Sequence, residues 1–340
     1  MSTGTTIYDI AKEAGVSIST VSRVLSGTAP VSEASRRKVE EAITRRGYHP
    51  SAIARGMTSK TTNTLGIVLP KLVNPNYAMI FTGASDEAQR TGRSISLFPV
   101  QSLETAEYDG AAMLAERSLD GVIICVEHIE PQYKDRFISS LKDLRGVMPV
   151  ALIGYAPEGI PYPAVCYDLI GIMKKLVEYL TSLGHTRIAF IGGSEDDRYE
   201  GSRDVGFRSA MEEAGLPMPP EYRKYCLGTS LEGERTLLDM LSSLPRRHWP
   251  TAVIALNDLV ALGCMSAARR MGLKLPRDLS IVGCDNLVGS AYFSPALTTV
   301  DTHQQMMGQR AVKLLLSSEM RRECSDWEFI ERESCCKARV

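Results

Sequence analysis

Several side chains in this sequence are of types that do chemistry, and most of them follow short apolar runs. Asn257 and Asp258 come after the run 252–256, and Asp285 after 279–283. Two such carboxylates can be read as a general acid and base, and His185 as a proton carrier. Their surroundings oppose this reading. No nucleophile, metal-ligand set or phosphate loop accompanies them, and Gly192-Gly193 is no G-x-G-x-x-G. The same groups suit binding. The Asp285 carboxylate can accept two hydrogen bonds, from vicinal hydroxyls or a base nitrogen. Arg203 offers a planar two-pronged donor, with a helix-surface ion pair to Glu200 as its alternative. Either Asn257 or Asp258 must cap the helix that follows. Asn74-Pro75-Asn76-Tyr77 reads as a proline turn with a cap, and His185 as a structural residue at a helix end. No catalysis, cofactor or metal site is expected.

A second set lies near the N-terminus, where Ile18, Ser19, Ser22 and Arg23 share the front of one short helical pattern. A guanidinium at Arg23 suits bidentate contact with a guanine, Ile18 a thymine methyl, and Ser19 a lesser contact. The elements that must position them are legible. Ile7, Ile10, Ala11 and Ala14 fall at helical spacing with Thr6 placed to cap. Gly15 can reverse the chain, Val16 packs inward, and Ser17 can cap a second helix burying Val21, Val24 and Leu25. The pattern suits a helix-turn-helix, although any αα-hairpin would share it. A third helix, about 32–46, offers Val39, Ala42 and Ile43 to close a core, and Gly47 ends it.

Charge distribution favours the DNA reading. Net charge is −1 over 340 residues, but residues 1–60 hold nine Lys/Arg against five acids. That leaves +4 on the head and −5 on the remainder, so only the head suits phosphate contact. Hydrophobic residues make up 44% and no apolar run approaches the roughly 20 residues of a membrane span. No export signal is evident, so a cytoplasmic location is expected and the eight cysteines read as reduced thiols.

From residue 65 the pattern alternates. Strand-like runs at 65–69, 94–100, 121–126, 150–153, 188–191, 252–256, 279–283 and 297–300 are separated by helical patterns at 77–90, 106–117, 169–183, 203–214, 231–244 and 258–271. Alternation of this kind predicts parallel sheets covered on both faces. Some 275 residues exceed the needs of one such sheet, so two lobes are expected. Ligands would then bind in a cleft beyond the carboxyl ends of the strands.

The stretch T-I-Y-D-I-A-x-x-A-G-V-S-x-x-T-V-S-R-V-L resembles the headpiece of LacI/GalR-family bacterial transcriptional regulators, and the resemblance continues through most of the chain. It implies an α/β, two-lobed periplasmic-binding-protein-like body after a small all-α helix-turn-helix domain. The expected domains are a headpiece at 1–50, a hinge and linker at 51–62, and a body at 63–340. Within the body, lobe 1 would take 63–162 and 294–325, and lobe 2 would take 163–293 and 326–340. Crossings between lobes are expected near 161–165, 292–295 and 324–327.

The resemblance also implies roles. Ile18, Ser19 and Arg23 would read bases, while Thr6, Ser17, Ser22, Tyr48 and Ser51 would position the DNA backbone. Ser51, Ala54 and Met57 lie on a hinge helix that orders on DNA, with Met57 as the apolar wedge in the minor groove. In the body, Asn76, Tyr77, Arg203, Asn257 and Asp285 would face an effector. Relatives often carry an acid where this chain has Gly154-Tyr155, so the pocket floor differs. The implied partners are double-stranded operator DNA, a small effector of carbohydrate type, and a second copy of the chain, with no membrane. Control by a phosphoprotein is the runner-up, through about 301–316, where this chain lacks the pattern of the catabolite control protein. A transport solute-binding protein is more remote, because the headpiece opposes it.

Overall fold

A computed structural model describes residues 5–26, 29–48, 61–69, 74–99, 114, 117–126, 134–156, 161–193, 202–317 and 319–339. The chain divides into two compact units, Met1–Thr64 with Ser118–Asp120, and Leu65–Arg117 with Gly121–Val340.

The first unit holds three helices, α1 (Ile7–Ala14), α2 (Ile18–Ser26) and α3 (Glu33–Arg46). Ile10, Val21, Val39 and Ala42 are fully buried between them, and Ile7, Val16, Val24, Leu25 and Ile43 pack at the margin. Burial of each larger aliphatic contributes about 1.5–3 kcal/mol, which is what holds so short a unit together. Thr6 forms the expected cap and adds its reciprocal half. Its Oγ1 accepts from the Asp9 N–H, and Asp9 Oδ2 accepts from the Thr6 N–H at 2.8 Å. Gly15 turns the chain at φ 65°, where a side chain would be strained.

The second unit is built on two parallel sheets. The strands of the first are β1 (Thr64–Leu69), β2 (Ser94–Pro99), β3 (Val122–Val126), β4 (Val150–Gly154), β5 (Ala164–Tyr167) and β11 (Arg322–Ser325), in the order β11-β5-β4-β3-β1-β2. Those of the second are β6 (Ile188–Ile191), β7 (Arg223–Lys224), β8 (Ala252–Ala255) and β9 (Ser280–Val282), in the order β7-β6-β8-β9. A separate antiparallel pair joins β10 (Thr299–Asp301) to β12 (Glu328–Ile330). Val122–Val126 and Ile188–Ile191 are buried throughout, as strands covered on both faces must be.

The helices of this unit are α4 (Pro75–Arg90), α5 (Lys134–Val147), α6 (Leu169–Ser182), α7 (Arg203–Glu213), α8 (Ser230–Ser243), α9 (Asp258–Arg270) and α10 (Gln304–Ser317). Two helix pairs approach closely at glycines. An added Cβ on Gly83 of α4 would stand 1.8 Å from the Gln305 carbonyl oxygen, and one on Gly308 of α10 would stand 2.1 Å from that of Ile80. In the second lobe, Gly233 of α8 faces the Val260 carbonyl and Gly263 of α9 that of Ser230.

The expected α/β class and the all-α head are present, but the lobe boundaries move. Residues 164–167 form a central-sheet strand paired with both β4 and β11, so the first crossing follows Tyr167 rather than lying at 161–165. The apolar run there is only four residues long with Pro161 and Pro163 before it, so it does not stand out as a strand. The second crossing also shifts. Thr298 bridges Val282 and Asp285 N–H donates to Val300, so the chain stays with the second sheet until Asp301. The third falls at Asp326-Trp327, since β11 lies in the first sheet and Trp327 packs in the second lobe's core. The expected helix at 106–117 lies almost wholly outside the described residues. Helices α5 and α10 were not anticipated as helices.

Candidate functional site

In the headpiece the three residues expected to read bases stand clear of the core. Ile18, Ser19 and Arg23 are exposed, with Ile18 at 43% despite its apolar chain. Burial of Val21 on the opposite face fixes this orientation, since the two faces of a two-turn helix are set by its 3.6-residue period. Ser17 is occupied locally: its Oγ accepts from Thr20 N–H at 3.1 Å and lies 2.7 Å from Ser19 Oγ. Thr6 is likewise a helix cap, and Ser22 is half-buried. Tyr48 departs from its expected role, being only 8% exposed and part of the three-helix core. Ser51, Ala54 and Met57 lie outside the described residues.

Two of the headpiece's basic residues close its third helix. Arg45 and Arg46, in the last turn of α3, both pair with Glu13, and that contact holds the Arg46 guanidinium above its ordinary range. Such placement also complements the negative end of the α3 dipole.

In the second unit Asn257 and Asp285 follow the carboxyl ends of parallel strands, while the connections from β1 to Asn76 and Tyr77 and from β6 to Arg203 lie partly outside the described residues. Asp285, three residues past β9, is 3% exposed and sits at φ 117°, with Asn286 at φ 50°. Backbone this unusual for non-glycine residues is held by its surroundings. Asp285 N–H donates to the Val300 carbonyl, and Gln304 Nε2 donates to the Asp285 carbonyl at 2.6 Å. Its carboxylate accepts from Asn74 Nδ2 at 3.3 Å, a bond that joins the end of the first sheet to the end of the second. Arg203, the first residue of α7 after the cap Ser202, reaches Cys284 Sγ at 4.0 Å beside Asp285. Burial pushes the Cys284 thiol up to about 12 against the pull of that guanidinium, so it stays protonated.

Of the two candidate caps, Asn257, also expected to face an effector, takes the role. Asn257 is the cap of α9, accepting from Val260 N–H at 2.9 Å, and its Nδ2 donates to the Gly228 carbonyl at 3.2 Å. Both ends of its amide therefore have protein partners. Asp258 is fully buried and turns inward, accepting from Leu287 N–H at 2.8 Å and from Thr299 Oγ1 at 2.5 Å. Burial raises its carboxyl to about 7. It supports the loop behind Asp285 through Leu287.

Asn76 and Tyr77 open α4 and are 4% and 5% exposed. Tyr77 packs in the first lobe's core, while Asn76 Oδ1 is buried without a hydrogen-bond partner, a group that a ligand donor would satisfy. At Gly154, where a different pocket floor was expected, an added Cβ would stand 2.3 Å from the Val126 carbonyl oxygen, so the backbone itself excludes a side chain.

Two residues escaped the sequence reading. Asn74, seen only as a cap, is the residue that meets Asp285; its 211-residue separation left no local signal. Asp120 in the first unit accepts from Thr62 N–H and Oγ1, at 2.7 and 2.9 Å, and from Asn63 N–H at 2.9 Å. It thus pins the residues that follow the expected hinge. His185 is buried between Thr251 and the Cys336 carbonyl, a structural position. Among the described residues no cluster could hold a metal ion, and no helix is long and apolar enough to cross a membrane.

Comparison with known proteins agrees with this geometry. Residues 6–51 match the model of bacterial regulatory proteins of the lacI family, and residues 177–335 match a periplasmic binding protein-like domain. The chain is 34% identical over 308 residues to the HTH-type transcriptional regulator DegA of Bacillus subtilis, covering 89% of this chain and 88% of DegA. It is 31% identical to the HTH-type transcriptional repressor PurR of Vibrio parahaemolyticus, covering 92% and 91%. Among solved structures, the lac repressor dimer bound to operator and the anti-inducer ONPF shares the fold at TM-score 0.84 and 24% identity, over 98% of this chain and 99% of that one. The cellobiose complex of the regulator CelR matches at TM-score 0.70 and 28% identity, over 97% and 99%. The chain belongs to the lacI family of bacterial regulatory proteins and is a DNA-binding transcriptional regulator.

Proposed function

We propose that this regulator is a cytoplasmic homodimeric repressor whose hold on a pseudo-palindromic operator is set by a small carbohydrate-class effector. A dimer would place two α2 helices in successive major grooves roughly 34 Å apart. The expected division, a headpiece at 1–50, a hinge at 51–62 and an effector body beyond, fits this arrangement. The observation that carries the effector reading is the bond from Asn74 to Asp285, which joins the carboxyl ends of two sheets with Arg203 and Asn76 alongside. Effector binding would change how the two lobes close, and coupling of that kind is typically 1–3 kcal/mol and reciprocal. The CelR–cellobiose complex and a ribose-bound regulator from Enterococcus faecium, 26% identical, support a carbohydrate. The relatives named repressors support the sign.

The test is thermal denaturation of the full chain against sugars, sugar phosphates and purines. A ligand at 100 times its Kd stabilises by about 2.7 kcal/mol, a clear rise in Tm. Asp285→Ala should abolish that rise and leave unliganded operator binding intact. A panel without a hit, or an unchanged response in the variant, would overturn this assignment.

A further inference from the structure

Cys166 of β5 and Cys324 of β11 are register partners across adjacent parallel strands. Facing residues of such a pair project to the same side of the sheet, and neighbouring strands lie about 4.8 Å apart. That separation falls within the roughly 4.4–6.8 Å Cα range that a disulfide spans. The other six cysteines are not placed on neighbouring strands in this way: Cys125 lies on β3, and Cys335 and Cys336 are sequence neighbours near the end of the chain.

The two thiols are not equivalent. Cys324 is exposed on the edge strand of the sheet, and Cys166 is half-buried on the strand inside it. Cys324 needs no opening of the fold to be reached, since it is exposed at the sheet edge. Burial and the neighbouring Cys324 push the Cys166 thiol up, which suits the outer cysteine to attack first and the inner one to resolve.

Position gives the pair a consequence. Both strands leave the first sheet within two residues of their cysteine, β5 at Asp168 and β11 at Asp326-Trp327. The two exits are tied together, because Trp327 Nε1 donates to Asp168 Oδ2 at 3.2 Å, and Asp168 in turn caps α6 of the second lobe. A bond between the sulfurs would fix two of the three crossings relative to each other.

We propose that Cys166 and Cys324 form a redox-responsive dithiol, oxidised by a small disulfide that meets the exposed Cys324. The Cys324 thiolate attacks one sulfur of the disulfide RSSR and releases one thiol, leaving a mixed disulfide on the protein. The Cys166 thiolate then attacks Cys324 Sγ, forming the protein disulfide and releasing the second thiol. Two protein thiols are oxidised and RSSR is reduced to two RSH, so electrons and protons balance.

The experiment equilibrates the full chain in glutathione buffers of graded oxidised-to-reduced ratio, alkylates the free thiols and maps the peptides by mass spectrometry. Two of the eight thiols should disappear together, a peptide cross-linked between Cys166 and Cys324 should appear, and dithiothreitol should reverse both. Cys166→Ser should stop with one glutathionyl group on Cys324, and Cys324→Ser should keep its remaining thiols over the same range. Wild-type protein that holds glutathione on Cys324 while Cys166 stays free would overturn the proposal. So would two unmodified thiols, or a cross-link elsewhere. The wild-type map decides alone if a variant does not fold.

Discussion

At the scale of residues, two side chains make opposite demands on solvent. Arg23 is exposed with no core role, so removing it tests DNA reading without disturbing the fold. Arg23→Ala should weaken a specific site by about 1–3 kcal/mol and relax preference at one base pair, measured by binding to operator variants. A uniform loss across sequences would make it a phosphate contact. Asp258 is the reverse case, an acid held inside. Its folded pKa of about 7 lies above the ordinary 3.8, so the folded state binds the proton more tightly. The stability this gives is fully present below about 3.8 and is lost as pH rises through 7. Burial lowers His185, whose contribution runs the other way, so only a difference isolates the acid. Denaturant unfolding from pH 5 to 8 should show wild type losing stability relative to Asp258→Asn. An amide can still accept from Leu287 N–H and donate to Thr299, and a difference that grows the other way would mean an ionised Asp258.

At the scale of elements, the closest approaches are made by glycines. Gly308→Ala would press a methyl group onto the backbone of α4, near the Ile80 carbonyl and the Ala84 N–H, which cannot yield as a side chain could. Overpacking of this kind costs about 1–3 kcal/mol, read as a lower urea midpoint with an unchanged slope. Gly146→Ala, near the end of α5 with open space around its Cβ, should instead be neutral or stabilising by up to about 1 kcal/mol.

Element scale is also where the sequence was most readable. Strands such as 188–191 were plain because a strand buried on both faces is an uninterrupted apolar run. Strand β5 hid behind its prolines. Helix α10 was passed over although Met307, Ala311 and Leu314 follow helical spacing. In the site, the positions after strand ends were readable, whereas their partners were not. Asn257 looked available, yet both ends of its amide are engaged, one of them by a carbonyl 29 residues away. Tyr77, expected to face an effector, and Tyr48, expected at the DNA backbone, are both packed inside.

At the scale of the whole molecule, the charge asymmetry separates two functions on one chain. The headpiece region carries +4 and the rest −5, so DNA affinity and effector affinity should answer differently to salt. The logarithm of operator affinity should fall with that of salt concentration by about 0.9 for each phosphate neutralised. Effector affinity measured over the same series by titration calorimetry should change far less for an uncharged sugar. Equal slopes for both would contradict this division.

The Asn74–Asp285 bond has a bearing on which part of a ligand can settle there. An arriving group displaces a donor from a carboxylate and leaves an amide seeking an acceptor. A hydroxyl answers both at once, donating to Asp285 and accepting from Asn74. A phosphate or carboxylate answers only the amide and meets the charge of Asp285 head-on. The effector proposed above, if it carries both kinds of group, would therefore be oriented before any shape is considered. For the effector proposed above, the alcohol end would turn to Asp285 and any acid it bears would be held off that carboxylate.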